Sequence, residues 1–168
     1  MSHPIFPRPH RLFLLSPTQE LARQTHREFL KLAKGSKLNA CVLTKQLAAA
    51  ATTGAEGAAK KAGGLKRYDV VVCTPLRMLS LVRKGVVSLN KVSYLVLDEA
   101  DKLLELGFLE QVDELIGGCG SATVQRALFS ATMLPQLEEL ATTVLRQPIR
   151  IVIGEKNAAA QTVEQKVI

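Results

Sequence analysis

Six short runs of apolar residues punctuate the chain, at positions 11–15, 40–43, 69–73, 94–97, 126–129 and 149–153. They are near-continuously hydrophobic instead of alternating, the pattern of strands covered by helices on both faces of a parallel sheet. Each is expected to be a buried strand. Between them lie segments of helical period. Leu21, Ala22, Thr25, Phe29, Leu32 and Ala33 share one face, as do Phe108, Leu109, Val112, Leu115 and Ile116, and then Leu134, Leu137, Ala141, Val144 and Leu145. Strand and helix alternate throughout, which predicts an α/β domain. Positions 47–64 break this order, since eight Ala and four Gly leave little side chain to pack. A mobile loop or a frayed helix is expected there.

Four of the runs end in short polar or acidic residues. LFLL leads into Ser16-Pro17-Thr18, VVVC into Thr74-Pro75, YLVL into Asp98-Glu99-Ala100-Asp101, and ALF into Ser130-Ala131-Thr132. Ligands of an open parallel sheet bind outside the carboxyl ends of its strands, so these clusters are expected along one rim. Ser16-Pro17 and Thr74-Pro75 each join a capping hydroxyl to a Pro suited to the first helical position. The free N–H groups of such helix starts can take a phosphate, and Arg77 adds a charge beside the second; ordinary capping explains the same residues. Asp98 stands where an acidic residue holds Mg²⁺ through water, with Glu99 next to it to orient or deprotonate an attacking water. An acidic helix start favoured by the helix dipole is the plain alternative. The Ser130 and Thr132 hydroxyls can bond a neighbouring carboxylate or simply serve a turn.

Composition narrows the class. With 168 residues, 47% of them hydrophobic, and only 11 Gly and 7 Pro, the chain can bury a core as one domain and is neither disordered nor collagen-like. Aromatics make up 4% and Trp is absent, so a nucleic-acid surface has no run of stacking rings and must work through phosphates. The net charge of +7 is unevenly spread: positions 1–67 carry twelve Lys or Arg against three acids, and positions 68–168 carry ten against twelve. A polyanion-facing side in the first part of the chain is expected, a solvated lysine-rich surface being the alternative. Cys41, Cys73 and Cys119 are odd in number, and the first two lie in apolar runs, as buried thiols of a reducing compartment would. No apolar run is long enough to span a membrane and the start, MSHPIFPRPHR, is unlike a signal peptide, so a soluble, intracellular protein with no membrane partner is expected.

A given tetrapeptide turns up by chance in about one chain per thousand of this length, so the order of the motifs carries more than DEAD alone. SPTQELA, TPLR, DEAD followed by KLLELGF, and QRALFSAT together resemble the first RecA-like domain of DEAD-box RNA helicases, over roughly positions 11–153. The resemblance implies a RecA-like P-loop NTPase fold of three layers with a mostly parallel sheet. It implies ATP and Mg²⁺ as cofactors, with RNA and a second RecA-like domain as partners. It makes Asp98, Glu99 and Asp101 the catalytic set, with Mg²⁺ held by Asp98 through water, and makes Asp101 with Ser130 and Thr132 the link between the nucleotide site and strand separation. Pro17, Thr18, Glu20, Thr74, Pro75 and Arg77 would line the RNA backbone.

The departures are as informative. Gln19 stands where the family usually has Arg, Leu76 where it usually has Gly, and Gly63-Gly64 is a poor match to the paired-glycine motif. No Gly-rich loop with Lys-Thr or Lys-Ser occurs, nor the adenine-reading glutamine motif. Positions 1–168 are therefore expected to be a partial N-terminal helicase domain, whose sheet lacks the phosphate-loop strand between the strand ending at Ser130 and that at 149–153. The segments at 43–45, 153–157 and 162–165 are similar to the branch acting on small-ribosomal-subunit precursors. That similarity implies rRNA processing, pre-ribosomal protein partners and a nuclear or nucleolar location. The alternatives are a catalytically inactive RNA-binding or assembly scaffold of the same fold, and an unrelated Mg²⁺-dependent hydrolase that would leave the motif order unexplained.

Overall fold

Five of the six apolar runs become strands, all pointing the same way. The computed structural model describes residues 12–53, 64–120 and 124–153. Strands β1 (Leu12–Leu15), β2 (Ala40–Val42), β3 (Val70–Cys73), β4 (Tyr94–Leu97) and β5 (Gln125–Leu128) form one parallel sheet in the order β2-β3-β1-β4-β5. Helices α1 (Gln19–Leu32), α2 (Lys45–Thr53), α3 (Pro75–Arg83), α4 (Ala100–Glu105), α5 (Leu109–Gly118) and α6 (Pro135–Val144) complete the α/β alternation.

Successive strand residues face opposite sides of a sheet, and the core divides accordingly. Phe13, Leu15, Val71, Cys73, Leu95 and Leu97 pack with α3 and α5 through Met78, Leu79, Val112 and Leu115. Val70 and Val72 turn the other way, onto Ala22 and Phe29 of α1. The sheet is thus the middle of three layers. All three cysteines are buried free thiols; burial pushes Cys41 up to about 12 and raises Cys73 and Cys119 as well, so they behave as small hydrophobes. No described helix is long and apolar enough to cross a membrane.

Three expectations are corrected and one pair of alternatives is decided. The run at 149–153 forms no strand, and Ile149 and Ile153 are 90% and 95% exposed. A strand exists only where a neighbour takes its backbone hydrogen bonds, and this segment does not come within pairing distance of the one free edge on its side, that of β5. A groove of about 480 Å³ separates it from β5, lined by Arg126, Leu128, Leu145, Pro148 and Ile151 among others. Second, Leu32 is 88% exposed: fourteen helical residues run about 21 Å, whereas the four-residue strand beneath spans about 13 Å, so the helix end overhangs the sheet. Third, of the loop and helix alternatives at 47–64 the helix holds for its described part, within residues 45–53, as strong helix formers such as Ala favour, with the Leu47 N–H donating to Thr44 Oγ1 at 3.2 Å; residues 54–63 lie outside the described set. Fourth, α1 is capped by Thr18 and not by Ser16, since the Leu21 N–H donates to Thr18 Oγ1 at 3.2 Å.

Candidate functional site

The parallel register brings the polar strand ends together. Leu15 is paired with Cys73 on one side and Leu97 on the other, and Leu97 with Leu128, so Ser16, Thr74, Asp98 and Phe129 follow at one level of the rim. Backbone bonds continue the pairing one step further, with Ser16 N–H donating to Cys73 O at 2.9 Å, Asp98 N–H to Leu15 O at 2.9 Å and Phe129 N–H to Leu97 O at 2.8 Å.

Asp101 is the most heavily engaged group on this rim, and only 6% of it is exposed. Its Oδ2 accepts from the Thr132 hydroxyl at 2.8 Å and the Thr132 N–H at 3.1 Å, and its Oδ1 accepts from the Lys102 N–H at 3.0 Å. The Asp101 N–H donates to Ser130 Oγ at 3.2 Å. Burial by itself raises the pKa, but the hydrogen bonds from Thr132, Lys102 and Ser130 outweigh it and hold the carboxyl below its ordinary value.

Asp98 and Glu99 stand beside it, both half-buried. Glu99 adopts a left-handed backbone conformation, φ 50° and ψ 53°, so the chain turns sharply between β4 and α4. Its Oε2 lies 2.5 Å from Lys102 Nζ. The Thr25 hydroxyl of α1 donates to Asp98 Oδ2 at 3.2 Å. Among the described residues no three His, Cys, Asp or Glu side chains gather to cage a metal. A single half-buried carboxylate at a strand tip still suits Mg²⁺, which keeps several waters and takes one or two carboxylates alongside phosphate oxygens.

The six residues assigned to RNA lie at two helix starts of the same rim. Thr18 caps α1 with Pro17 buried just before it and Glu20 exposed in its first turn. Pro75 occupies the first turn of α3, but the Thr74 hydroxyl makes no capping bond, so this start is set by proline geometry alone. Gln19 Nε2 and Arg77 Nε, one near each start, are buried donors without a hydrogen-bond partner among the described residues. Such donors are costly to leave unmet, and a phosphate oxygen would meet them. Along α1, Glu20, Arg23, His26 and Arg27 line an open groove of about 450 Å³.

A family model described as DEAD/DEAH box helicase matches residues 5–140. The chain belongs to this family. Among DEAD-box relatives, the chain is 45% identical over 158 residues to the "Probable ATP-dependent RNA helicase ddx52" of Dictyostelium discoideum, covering 94% of this chain and 22% of that protein. It is 43% identical over 155 residues to "ATP-dependent RNA helicase ROK1" of Lodderomyces elongisporus, covering 92% and 27%. With "DEAD-box ATP-dependent RNA helicase 57" of Oryza sativa it shares 41% over 157 residues, again covering 92% and 27%. The chain spans about a quarter of the length of these relatives. Among solved structures it is similar to a DEAD box protein from Methanococcus jannaschii, with a TM-score of 0.69 and 29% identity over 83% of this chain and 36% of that one. The fold is the RecA-like helicase domain.

Two contacts of this DEAD-box domain escape the sequence. Thr25 reads as one more member of the apolar face of α1, and only its hydroxyl among Leu21, Ala22 and Phe29 hints at a polar partner. Lys102 follows DEAD as an ordinary helix residue, and its position three residues beyond Glu99 is the one signal for the ion pair.

Proposed function

We propose that this chain is the RNA- and nucleotide-facing part of an ATP-dependent RNA helicase. The observation that carries the reading is the brace from Asp101 to Ser130 and Thr132, three residues from Asp98 on the rim that also bears the unmet donors of Gln19 and Arg77. In this reading Asp98 holds Mg²⁺ through water, and the ion, when bound, supplies charge neutralisation for the phosphates. Glu99 orients the attacking water and accepts its proton. Asp101 reports the state of the site to Ser130 and Thr132, while Pro17, Thr18, Glu20, Thr74, Pro75 and Arg77 face the RNA backbone. The recognition is of phosphates, in keeping with a chain that has few aromatic side chains.

In this reading activity belongs to a longer polypeptide that adds a phosphate loop and a second RecA-like domain, in keeping with a chain that spans about a quarter of the length of its relatives. The full-length protein should show Mg²⁺-dependent, RNA-stimulated ATP hydrolysis, abolished by Glu99→Gln with ATP-dependent RNA binding retained. The 168 residues alone should hydrolyse no ATP above background. RNA binding by the full-length protein without any hydrolysis would replace the enzyme with an RNA-binding scaffold. The similarity of the tail to small-subunit assembly helicases extends the proposal to rRNA processing with pre-ribosomal partners in the nucleus or nucleolus, which co-sedimentation with pre-ribosomal particles would test.

A further inference from the structure

Asp98 has a partner that the scheme above leaves unused. Thr25 lies 73 positions earlier, yet its hydroxyl donates to Asp98 Oδ2 at 3.2 Å, across the boundary between α1 and the strand tip. Among the described residues this is the hydrogen bond that the Asp98 carboxylate accepts. Packing alone would be served as well by Val, which has the same shape without the hydroxyl, so the polar atom needs a reason of its own. A carboxylate that grips a metal through water must keep one orientation, because a swing of its plane displaces the water it holds. Outer-shell hydrogen bonds supply this constraint in metal sites generally.

We propose that Thr25 is a positioning residue for Asp98. Its hydroxyl engages Oδ2, so Oδ1 is the oxygen that would take a metal-held water. The residue stands seven positions beyond the cap Thr18, two helical turns or about 10 Å along α1, so it is fixed by the same rigid helix that begins at the RNA-facing rim. The bond is longer than the roughly 2.5–3.0 Å of a strong hydroxyl–carboxylate contact. Its loss therefore belongs at the lower end of the tenfold to hundredfold range for outer-shell partners, about tenfold.

The inference rests on Asp98 being the Mg²⁺ residue, and two measurements separate the two ideas. In the full-length protein, Thr25→Val should raise the Mg²⁺ concentration for half-maximal RNA-stimulated ATP hydrolysis about tenfold, with the RNA half-saturation and Tm unchanged. Thr25→Ser should restore it. In the 168-residue chain, Mn²⁺ should broaden the side-chain carboxyl carbon resonance of Asp98 at lower concentration in wild type and Thr25→Ser than in Thr25→Val. Equal Mn²⁺ dependence in wild type and Thr25→Val, or an unchanged Mg²⁺ requirement, would overturn the assignment of Thr25. A full-length protein that hydrolyses no ATP while Mn²⁺ still seeks Asp98 in a Thr25-dependent way would remove the helicase reading and keep the positioning role.

Discussion

Thr132 Oγ1 donates to Asp101 Oδ2 at 2.8 Å, and the Thr132 N–H reaches the same oxygen from 3.1 Å. The two residues are 31 positions apart and follow different strands, so the pair ties the first turn of α4 to the loop after β5. A hydrogen bond to a charged group is worth roughly 1.5–3 kcal/mol, enough to move an open–closed balance by one to two orders of magnitude. In the full-length protein, Ser130→Ala with Thr132→Ala is expected to keep much of the RNA-stimulated ATPase rate and lose most duplex separation. Loss of both activities in equal proportion would assign the brace to the chemistry or to the fold.

The depressed pKa of Asp101 makes part of the stability depend on pH. The unfolded chain binds this proton more tightly, so the stabilisation is fully present above the unfolded value of about 3.9 and fades as pH falls through the folded one. Thr132→Val removes one of the responsible bonds. Urea denaturation should give a constant difference between wild type and variant at about pH 5–8, shrinking below about pH 4. A difference independent of pH would mean that Thr132 acts through packing alone.

Glu99 holds a left-handed backbone conformation that favours glycine. Glu99→Gly and Glu99→Ala both remove the ion pair with Lys102, so the contrast between them isolates the backbone. The glycine variant should be more stable by about 1 kcal/mol in chemical denaturation. Equal stability would indicate that the turn relaxes once the glutamate is gone.

Arg77 offers a buried Nε with no partner among the described residues, and phosphate contacts carry no base information. Arg77→Ala should weaken RNA binding about equally for all sequences and reduce the slope of log K against log salt by about one unit. Fluorescence anisotropy at several salt concentrations measures both, and an unchanged slope would move the phosphate contact to another residue.

Along β5 the amides of Gln125 and Phe129 donate to the strand beside it, so those of Arg126 and Leu128 point to the open groove. Hydrogen exchange should be fast at Arg126 and Leu128 and slow at Ala127. Protection at all three in the 168-residue chain would mean that another segment has paired with this edge.

The strands at 12–15, 70–73 and 94–97 were legible because parallel burial writes an uninterrupted apolar run, and their polar endings announced the rim. The run at 149–153 looks the same on paper, but a strand depends on a neighbour that no local pattern reveals. Leu32 fits the helical period for the same local reason, and periodicity carries no information on where the sheet beneath ends. Asp101, Ser130 and Thr132 could be grouped in advance only through the family resemblance, and the pairing of β4 with β5 is what brings them together. Thr25 and Asp98 could not, since a helix face and a strand tip meet only in three dimensions.

β1 lies at the centre of the sheet, between β3 and β4, although it is the earliest of the described strands. Its register partners begin at Val70 and Tyr94. At synthesis rates of about 5–20 residues per second, LFLL waits roughly 3–12 seconds for its first neighbour to be made. Through that interval only α1, which follows directly, can cover the strand, on the face of Leu12 and Leu14, while the face of Phe13 and Leu15 waits for α3 and α5, which are not yet made.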